Sequence, residues 1–366
     1  MQVAGETDHV PTAGHDRLVV VDPDADPRWD EYVGANEHGS IYHHSGWLRA
    51  LRREYEQPLL GLALEDAHGA LRGVLPLIQT KGLPFASGNP TTGRRLSSLP
   101  RTPFAGPLAE DRAGLAALVR AAIDRTPPGA HLQLKLDRAR LDGLVSGGPW
   151  RTTYVVELPE SPERLRFGSR RNNTRIRSSI TTASKDGVRV VPAQTLAEVR
   201  RWYRLYLETM RHHVVPARPL RLFEALWEEL RPRGMMQLLL AQRQGELLAG
   251  SVLLKHGRTT WYAFNGSSRA AFHHRPNDML QWHGLHAACA AGDRWYDLGE
   301  VAEHHTGLAH FKRKWGAQTR RLYRYSHPQA ARLAEEAPPR QVVARAWRAL
   351  PLGATALAGR AAYRYL

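Results

Sequence analysis

The chain has 366 residues, 51 Lys+Arg against 35 Asp+Glu and a formal net charge of +16, a length that suits two domains at roughly 100–200 residues each, or one large one. Its 42% hydrophobic and 23% charged residues are ordinary for a globular protein and exclude global disorder. A single cysteine, Cys289, excludes an internal disulfide and a cysteine-rich zinc site. No run approaches about 18 consecutive apolar residues, and the polar start Met1–Asp16 lacks the layout of a secretion signal, so a cytoplasmic location is expected.

In chain order, residues 1–26 are rich in Asp, Pro and Gly and read as a flexible leader. Trp47, Leu48, Leu51 and Tyr55 follow helical spacing, and Leu59–Gly82 reads as a β-hairpin turning at Gly69. Pro149–Pro162 carries a strand, Arg151–Leu158, and a proline-flanked boundary. A basic helix then runs to a Lys185-Asp186-Gly187 stop, followed by a strand at Val188–Val191 and a helix over Thr195–His213. Leu222, Phe223, Leu226, Trp227 and Leu230 form a second apolar helix face, and Met235–Gly257 repeats the hairpin pattern with its turn at Gly245. The two helix–hairpin segments lie about 177 residues apart, near half the chain, and predict a duplicated unit, with chance similarity of two hairpins as the rival explanation. A strand at Thr259–Phe264, a helix over Asn277–Ala291 and a short buried strand at Trp295–Leu298 complete the second half. The tail after Pro338 has no acidic residue and reads as a basic amphipathic helix, Gln341–Leu350, suited to packing on the domain, a membrane surface or RNA. The expected divisions are 27–160, 161–330 and a basic helical tail, 331–366.

The charge is mostly arginine, 45 Arg to 6 Lys, a ratio that a GC-rich genome also produces. Its distribution is more telling. Between Ser161 and Val190 eight basic residues face only Glu163 and Asp186, and from His304 to His327 six more face no acid. Such clusters favour a phosphate-bearing partner (tRNA, a nucleotide sugar or a coenzyme pyrophosphate) over a merely solvated face.

The histidine pairs are poor chelators because adjacent side chains diverge, and no metal spacing, nucleophile elbow or phosphate-binding glycine loop occurs, so no metal is expected. Cys289, among alanines, reads as core. The stretch that carries chemistry is Trp295–Tyr325. Asp297 and Glu300 flank a tight turn at Gly299, and Lys312 and Lys314, two of the six lysines, fall within three residues. A partly buried ammonium beside aromatics binds phosphate or stabilises an oxyanion; the alternative is a surface basic strand. Asp297 is either a base that orients an amine or the cap of its turn.

His274-Arg275-Pro276-Asn277, the helix to Gly292, Tyr296-Asp297-Leu298-Gly299, Gly307-Leu308 and Phe311-Lys312-Arg313-Lys314-Trp315-Gly316 resemble the C-terminal half of the Fem family, as does the basic run from Ser169-Arg170-Arg171 to Gly187. The resemblance covers about Ile41 to Arg324 and rests on the ordered set rather than on one motif. It implies a mixed α/β fold of two tandem GNAT-like acyltransferase domains. It also implies transfer of an amino acid from aminoacyl-tRNA to an amine of a peptidoglycan precursor or small peptidic metabolite, with no further cofactor. Carried over residue by residue, the family's Phe-Lys pair falls on Phe311 and Lys312, with Asp297 beside them. Arg170, Arg171, Arg175, Lys314 and Asn277 become candidates for substrate and phosphate binding. Arg52 stands where the family has a basic residue for the acceptor's phosphates, though no lysine follows Trp47 here. The implied partners are aminoacyl-tRNA, a small-molecule or lipid-linked peptide acceptor and a peripheral membrane contact, with no stable protein partner.

Two alternatives remain. GNAT domains also use acyl-CoA, but the turn Asn265–Asn277 has one glycine and a proline where a pyrophosphate cradle would need backbone donors. The other is a non-catalytic basic protein that binds RNA or a membrane surface.

Overall fold

The structure, a computed structural model, describes residues 16–82, 93–302, 305–329 and 341–365; the first 15 residues of the expected leader, His304 and the start of the expected tail lie outside them. The first half runs β1 (Arg17–Val21), α1 (Pro27–Ala35), α2 (Ser45–Tyr55), β2 (Leu59–Glu65), β3 (Leu71–Thr80), β4 (Arg95–Ser97), β5 (Leu108–Ala109), α3 (Arg112–Asp124), β6 (His131–Leu136) and β7 (Gly147–Glu157). The second runs α4 (Arg170–Lys185), β8 (Arg189–Pro192), α5 (Leu196–His213), α6 (Leu220–Leu230), β9 (Met236–Arg243), β10 (Glu246–His256), β11 (Thr259–Ser267), α7 (Pro276–Ala290), β12 (Trp295–Val301), α8 (Thr306–Lys314) and β13 (Gln318–His327), followed by α9 (Gln341–Ala349) and α10 (Leu352–Ala362).

The duplication is visible in the element order. An edge strand, two helices and a hairpin occur first as β1-α1-α2-β2-β3 and again as β8-α5-α6-β9-β10. Equivalent helices meet back to back. Arg49 of α2 binds Glu229 of α6 at 2.7 Å, and Arg53 binds Glu228 at 2.5 Å. The approach is so close that a Cβ on Gly46 would fall 2.7 Å from Leu230 Cδ2.

One sheet crosses the whole molecule in the order β1-β2-β3-β4-β6-β13-β7-β12-β11-β10-β9-β8, with β5 on β3. β13, late in the chain, lies between β6 and β7, so the second half supplies the strand that completes the first. Only β4–β6 and β11–β12 pair in parallel among the described strands. Both pairs occupy the same place within their halves, after the hairpin, as a tandem repeat requires.

Alternation along the strands sorts the core. Leu62, Leu75, Leu77, Leu132 and Leu134 pack under α3. The opposite face joins Trp47, Leu51, Trp202, Phe223 and Leu226 in a cluster shared by both halves. A third cluster around Phe167, Leu280, Tyr296 and Trp315 lies beneath α7. Each such side chain contributes about 1.5–3 kcal/mol on burial. Thr195 and Glu198 form a reciprocal capping box that starts α5.

Three expectations change. The leader over 1–26 is not structureless at its end: Arg17–Val21 pairs in register with β2 as an edge strand, tied by Arg17 to Glu65 at 2.7 Å. The segment holding Phe311 and Lys312 is a helix, α8, not a basic surface strand, because Ala309 and Lys312 fall on its one inward face. The small residues after Leu350 form another helix, α10, where Gly359 lets the backbone sit against Ala217.

Candidate functional site

β11 and β12 pair from Thr259–Trp295 to Trp261–Asp297 and no further. Beyond that point they part, and β12 also slips register against β7 between Asp297 and Glu300. Asp297, Gly299 and Glu300 thus sit at a fork in the middle of the sheet, where the backbone is turned by Gly299 at φ +84°. Bulges of this kind re-aim side chains beside functional sites.

Asp297 is buried. Its Oδ1 accepts the Thr153 hydroxyl at 2.6 Å and the Gly299 N–H at 2.7 Å, so it does cap the turn. Burial raises its carboxyl above the ordinary value, and the two hydrogen bonds only partly oppose this. Lys312 reaches the same turn from α8, with its Nζ donating to Gly299 O at 2.8 Å and Glu300 O at 3.2 Å. Its side chain is buried over the Tyr154 ring, 5.9 Å from the centroid. Desolvation pushes the ammonium down to about 8, although Asp297 and Glu300 favour the charged form. Two of its three protons are used by backbone carbonyls, leaving one for a ligand.

Phe311 packs beside Trp315, and its ring lies under the Lys314 ammonium at 5.0 Å. Lys314 itself binds Asp278 in the first turn of α7 at 2.6 Å. Asn277 accepts from Asn265 at 3.3 Å and donates to Ser267 at 3.4 Å, fixing the start of α7 against β11. The end of α8 touches the start of α4 backbone to backbone, since a Cβ on Gly316 would lie 2.8 Å from Gly168 N. Arg170 and Arg171 therefore open their helix beside Lys314, and Arg175 follows one turn later. All three are exposed, and no acidic group pairs with them among the described residues.

Arg52 is held elsewhere, by Asp24 at 2.6 Å and Asp22 at 3.1 Å. The structure thus brings Asp297 and Lys312 together at the fork, ties Lys314 and Asn277 to the start of α7, sets the start of α4 against the end of α8, and leaves Arg52 with the residues before α1.

Sequence reasoning missed the contributions of β7 and of the segment before α2. Thr153, Tyr154 and Arg151, which pairs with Glu300, come from β7. Tyr42, fully buried, packs against Trp47 and Trp261 at 5.2 and 5.8 Å, and its phenol is raised by burial with Asp297 and Glu300 nearby. Nothing in the spacing around Tyr42 or Thr153 marks them, because pairing across the sheet, not the local pattern, brings them in.

The chain as a whole is similar to known proteins. The Acetyltransferase (GNAT) domain family matches residues 168–313. A UDP-N-acetylmuramoylpentapeptide-lysine N(6)-alanyltransferase from Weissella viridescens is 23% identical over 308 residues, 78% of this chain and 87% of that protein. The crystal structure of FemX superposes with a TM-score of 0.64 at 17% identity, over 84% of this chain and 97% of that one. The C-terminal domain of a putative lysylphosphatidylglycerol synthetase from Agrobacterium fabrum follows, with a TM-score of 0.54, 12% identity and coverage of 81% and 90%. The likeness to Fem transferases read in the sequence is borne out, and with it the mixed α/β, GNAT-like acyltransferase fold.

Proposed function

We propose that this chain, an acyltransferase related to the Fem aminoacyltransferases, moves an amino acid from aminoacyl-tRNA to an amine of a peptidoglycan precursor or a small peptidic metabolite. The observation that carries the reading is the buried Lys312 ammonium at the β11–β12 fork, with one N–H not taken by the backbone; the exposed Arg170, Arg171 and Arg175, which pair with no acidic group among the described residues, support it. The relative from Weissella is named for alanyl transfer to a lysine side chain of such a precursor, which favours a peptide amine as acceptor.

The chemistry asks little of the protein because the donor ester is already activated. The acceptor nitrogen forms a bond to the ester carbonyl carbon, the bond to the 3′ oxygen breaks, and the amine's proton ends on that oxygen. The carbonyl oxygen becomes anionic on the way, and Lys312 is poised to neutralise it, a contribution of roughly 10²–10³ in rate for one such donor. Asp297, with its second oxygen unclaimed by Thr153 and Gly299, orients the amine and relays its proton. Arg170, Arg171 and Arg175 hold phosphates of the donor's acceptor stem.

The start of α7 speaks against a coenzyme A donor. Pro276 lacks an N–H, and Gly266 is used to admit α5, since a Cβ there would lie 2.4 Å from Tyr206 N. No cofactor is therefore proposed. No helix among the described residues is long and apolar enough to cross a membrane, and a cytoplasmic protein that meets lipid-linked acceptors at the membrane surface fits the basic tail.

The test is incubation with total tRNA charged with radiolabelled amino acids and a cell extract as the source of acceptor. Transfer of label to a small product, abolished by ribonuclease and by Lys312→Ala, is expected. Ribonuclease-insensitive transfer that needs acetyl-CoA would replace this reading with acyl-CoA-dependent N-acylation.

A further inference from the structure

The sheet ends at an edge that is only half covered. β8 pairs with β9 from Arg189–Gln242 to Pro192–Leu239, and the Ala193 N–H donates to Leu238 O at 2.8 Å. The chain then leaves the sheet for the capping box of α5. Bonded and non-bonded residue pairs alternate along an antiparallel ladder. The Lys255 N–H donates to Met235 O at 2.8 Å, so the next pair, Leu254–Met236, is a non-bonded one. The N–H and C=O of Met236 therefore point away from β10, into the stretch that β8 has left, and meet no partner among the described residues.

A cavity of about 630 Å³ wraps that stretch, a size usual for ligand sites. It is walled on both faces of the sheet. Trp227 and Arg231, at the end of α6, line it on one face, where Trp227 and Met236 share a core cluster. Leu253 and Lys255 of β10, with Ala287 of α7, line it on the other. A hollow that straddles an open strand edge is the shape an added strand fills: its backbone pairs with the edge while its side chains alternate between the two faces.

Charge narrows the occupant. The Arg231 guanidinium lies over the Trp227 ring at 4.5 Å and donates to Gln194 at 3.1 Å, and no acidic group pairs with it among the described residues. Lys255 reaches Asp293 at 2.8 Å, but that buried carboxylate also accepts the Thr260 hydroxyl at 2.6 Å, and the lysine, 35% exposed, keeps donors for the cavity. One cation thus stands on each face, above apolar walls.

We propose that the open edge of β9 is a docking site for an extended peptide segment of another protein, apolar with adjacent acidic residues, which adds a short strand beside Met236. Successive side chains of a strand face opposite ways, so two neighbouring carboxylates meet Arg231 and Lys255 together. The strands β10 and β11 separate the edge from β12, so the segment binds without touching the fork, and the site stands whether or not the transfer reading does. Its shortness suits transient capture.

The experiment is fluorescence polarisation of the full chain with a fluorescein-labelled hexapeptide, Val-Val-Glu-Asp-Val-Val, amidated at its end. Saturable binding is expected, lost when the central pair is Lys-Lys and when every backbone nitrogen is methylated. Arg231→Gln and Ala287→Trp should each weaken it about tenfold or more, while Arg204→Gln, exposed on α5, leaves it unchanged. Ala287 is an exposed helix position, so its variant keeps the fold, which an unchanged Tm verifies. Hydrogen exchange of the Met236 amide should slow when the peptide binds. Absence of saturable binding, or binding that survives backbone methylation or Ala287→Trp, overturns the proposal. Self-association of the chain that slows exchange at Met236 without peptide would give the edge to a second copy and overturn it as well.

Discussion

The Lys312 ammonium donates to the carbonyl of Gly299 at 2.8 Å, and that carbonyl is turned towards it by a glycine φ of +84°. A Cβ on Gly299 would lie 3.6 Å from Lys312 Nζ, an ordinary contact, so space does not require glycine there; backbone conformation does. Gly299→Ala is expected to cost about 1–2 kcal/mol in stability and to lower kcat more than KM, because it moves the carbonyls that aim the ammonium. Thermal melting and steady-state kinetics check this, and unchanged kcat would separate the turn from the chemistry.

The same lysine makes activity and stability respond to pH in opposite directions. Its folded-state value is about 8, below the ordinary 10.5. Between these values the unfolded chain holds a proton that the folded chain has released, so the contribution to stability rises with pH across that window. Activity that needs the cation falls as pH climbs through about 8. Profiles of kcat/KM and of unfolding free energy from pH 6.5 to 10 should show both trends in the wild type. Lys312→Met should remove the stability trend; a kcat/KM decline that persisted in that variant would assign the titration to another group.

Salt provides an independent reading of the α4 arginines. If Arg170, Arg171 and Arg175 each neutralise a phosphate, replacing all three by Gln should flatten the plot of log K against log salt for tRNA by about 2–3. Filter binding over a salt series measures it. The exposed positions make folding of the triple variant safe, and an unchanged slope would show that these arginines meet no tRNA phosphates.

Much of this could be read in the sequence where the signal is local. Helix faces such as Trp47-Leu48-Leu51-Tyr55, the hairpins at Gly69 and Gly245, and the stop at Gly187 follow from side-chain period and turn chemistry. The element order of the two halves then reproduces the expected repeat. Lys312 stands out because two of the six lysines fall within three residues, Asp297 because it flanks the Gly299 turn, and the α4 arginines because they belong to a basic run that also carries the resemblance to the Fem family. What escaped was set by long-range pairing. β13 inserting between β6 and β7 has no local signature, so neither Thr153 beneath Asp297 nor Lys135 opposite Arg324 was legible. Arg52 shows the converse: its position in sequence suggests a ligand for phosphate, yet Asp22 and Asp24, close in space, take its guanidinium.

The two halves are also joined by a buried ion pair, and its energetics differ from those of the surface pairs. Arg218, just before α6, donates to Glu54 of α2 at 2.6 Å, with side-chain exposures of 6% and 0%. Its guanidinium also packs over the rings of Phe264 and Tyr363, at 5.7 and 5.5 Å, so both halves and α10 converge on it. Burial lifts the Glu54 carboxyl to about 7, and the attraction of Arg218 only partly offsets it. The folded chain therefore binds a proton that the unfolded chain has lost between pH 4.5 and 7, and this contribution to stability falls as pH rises through that range. Removing one partner strands the other. Arg218→Met and Glu54→Gln should each destabilise by about 3–5 kcal/mol, while the double variant Glu54→Gln/Arg218→Met should recover much of the loss. Denaturant unfolding of the single and double variants measures the coupling. Additive losses would show that the two side chains act separately and that the contact between the halves rests on the rest of the α2–α6 interface, its apolar faces and the Arg49–Glu229 and Arg53–Glu228 pairs.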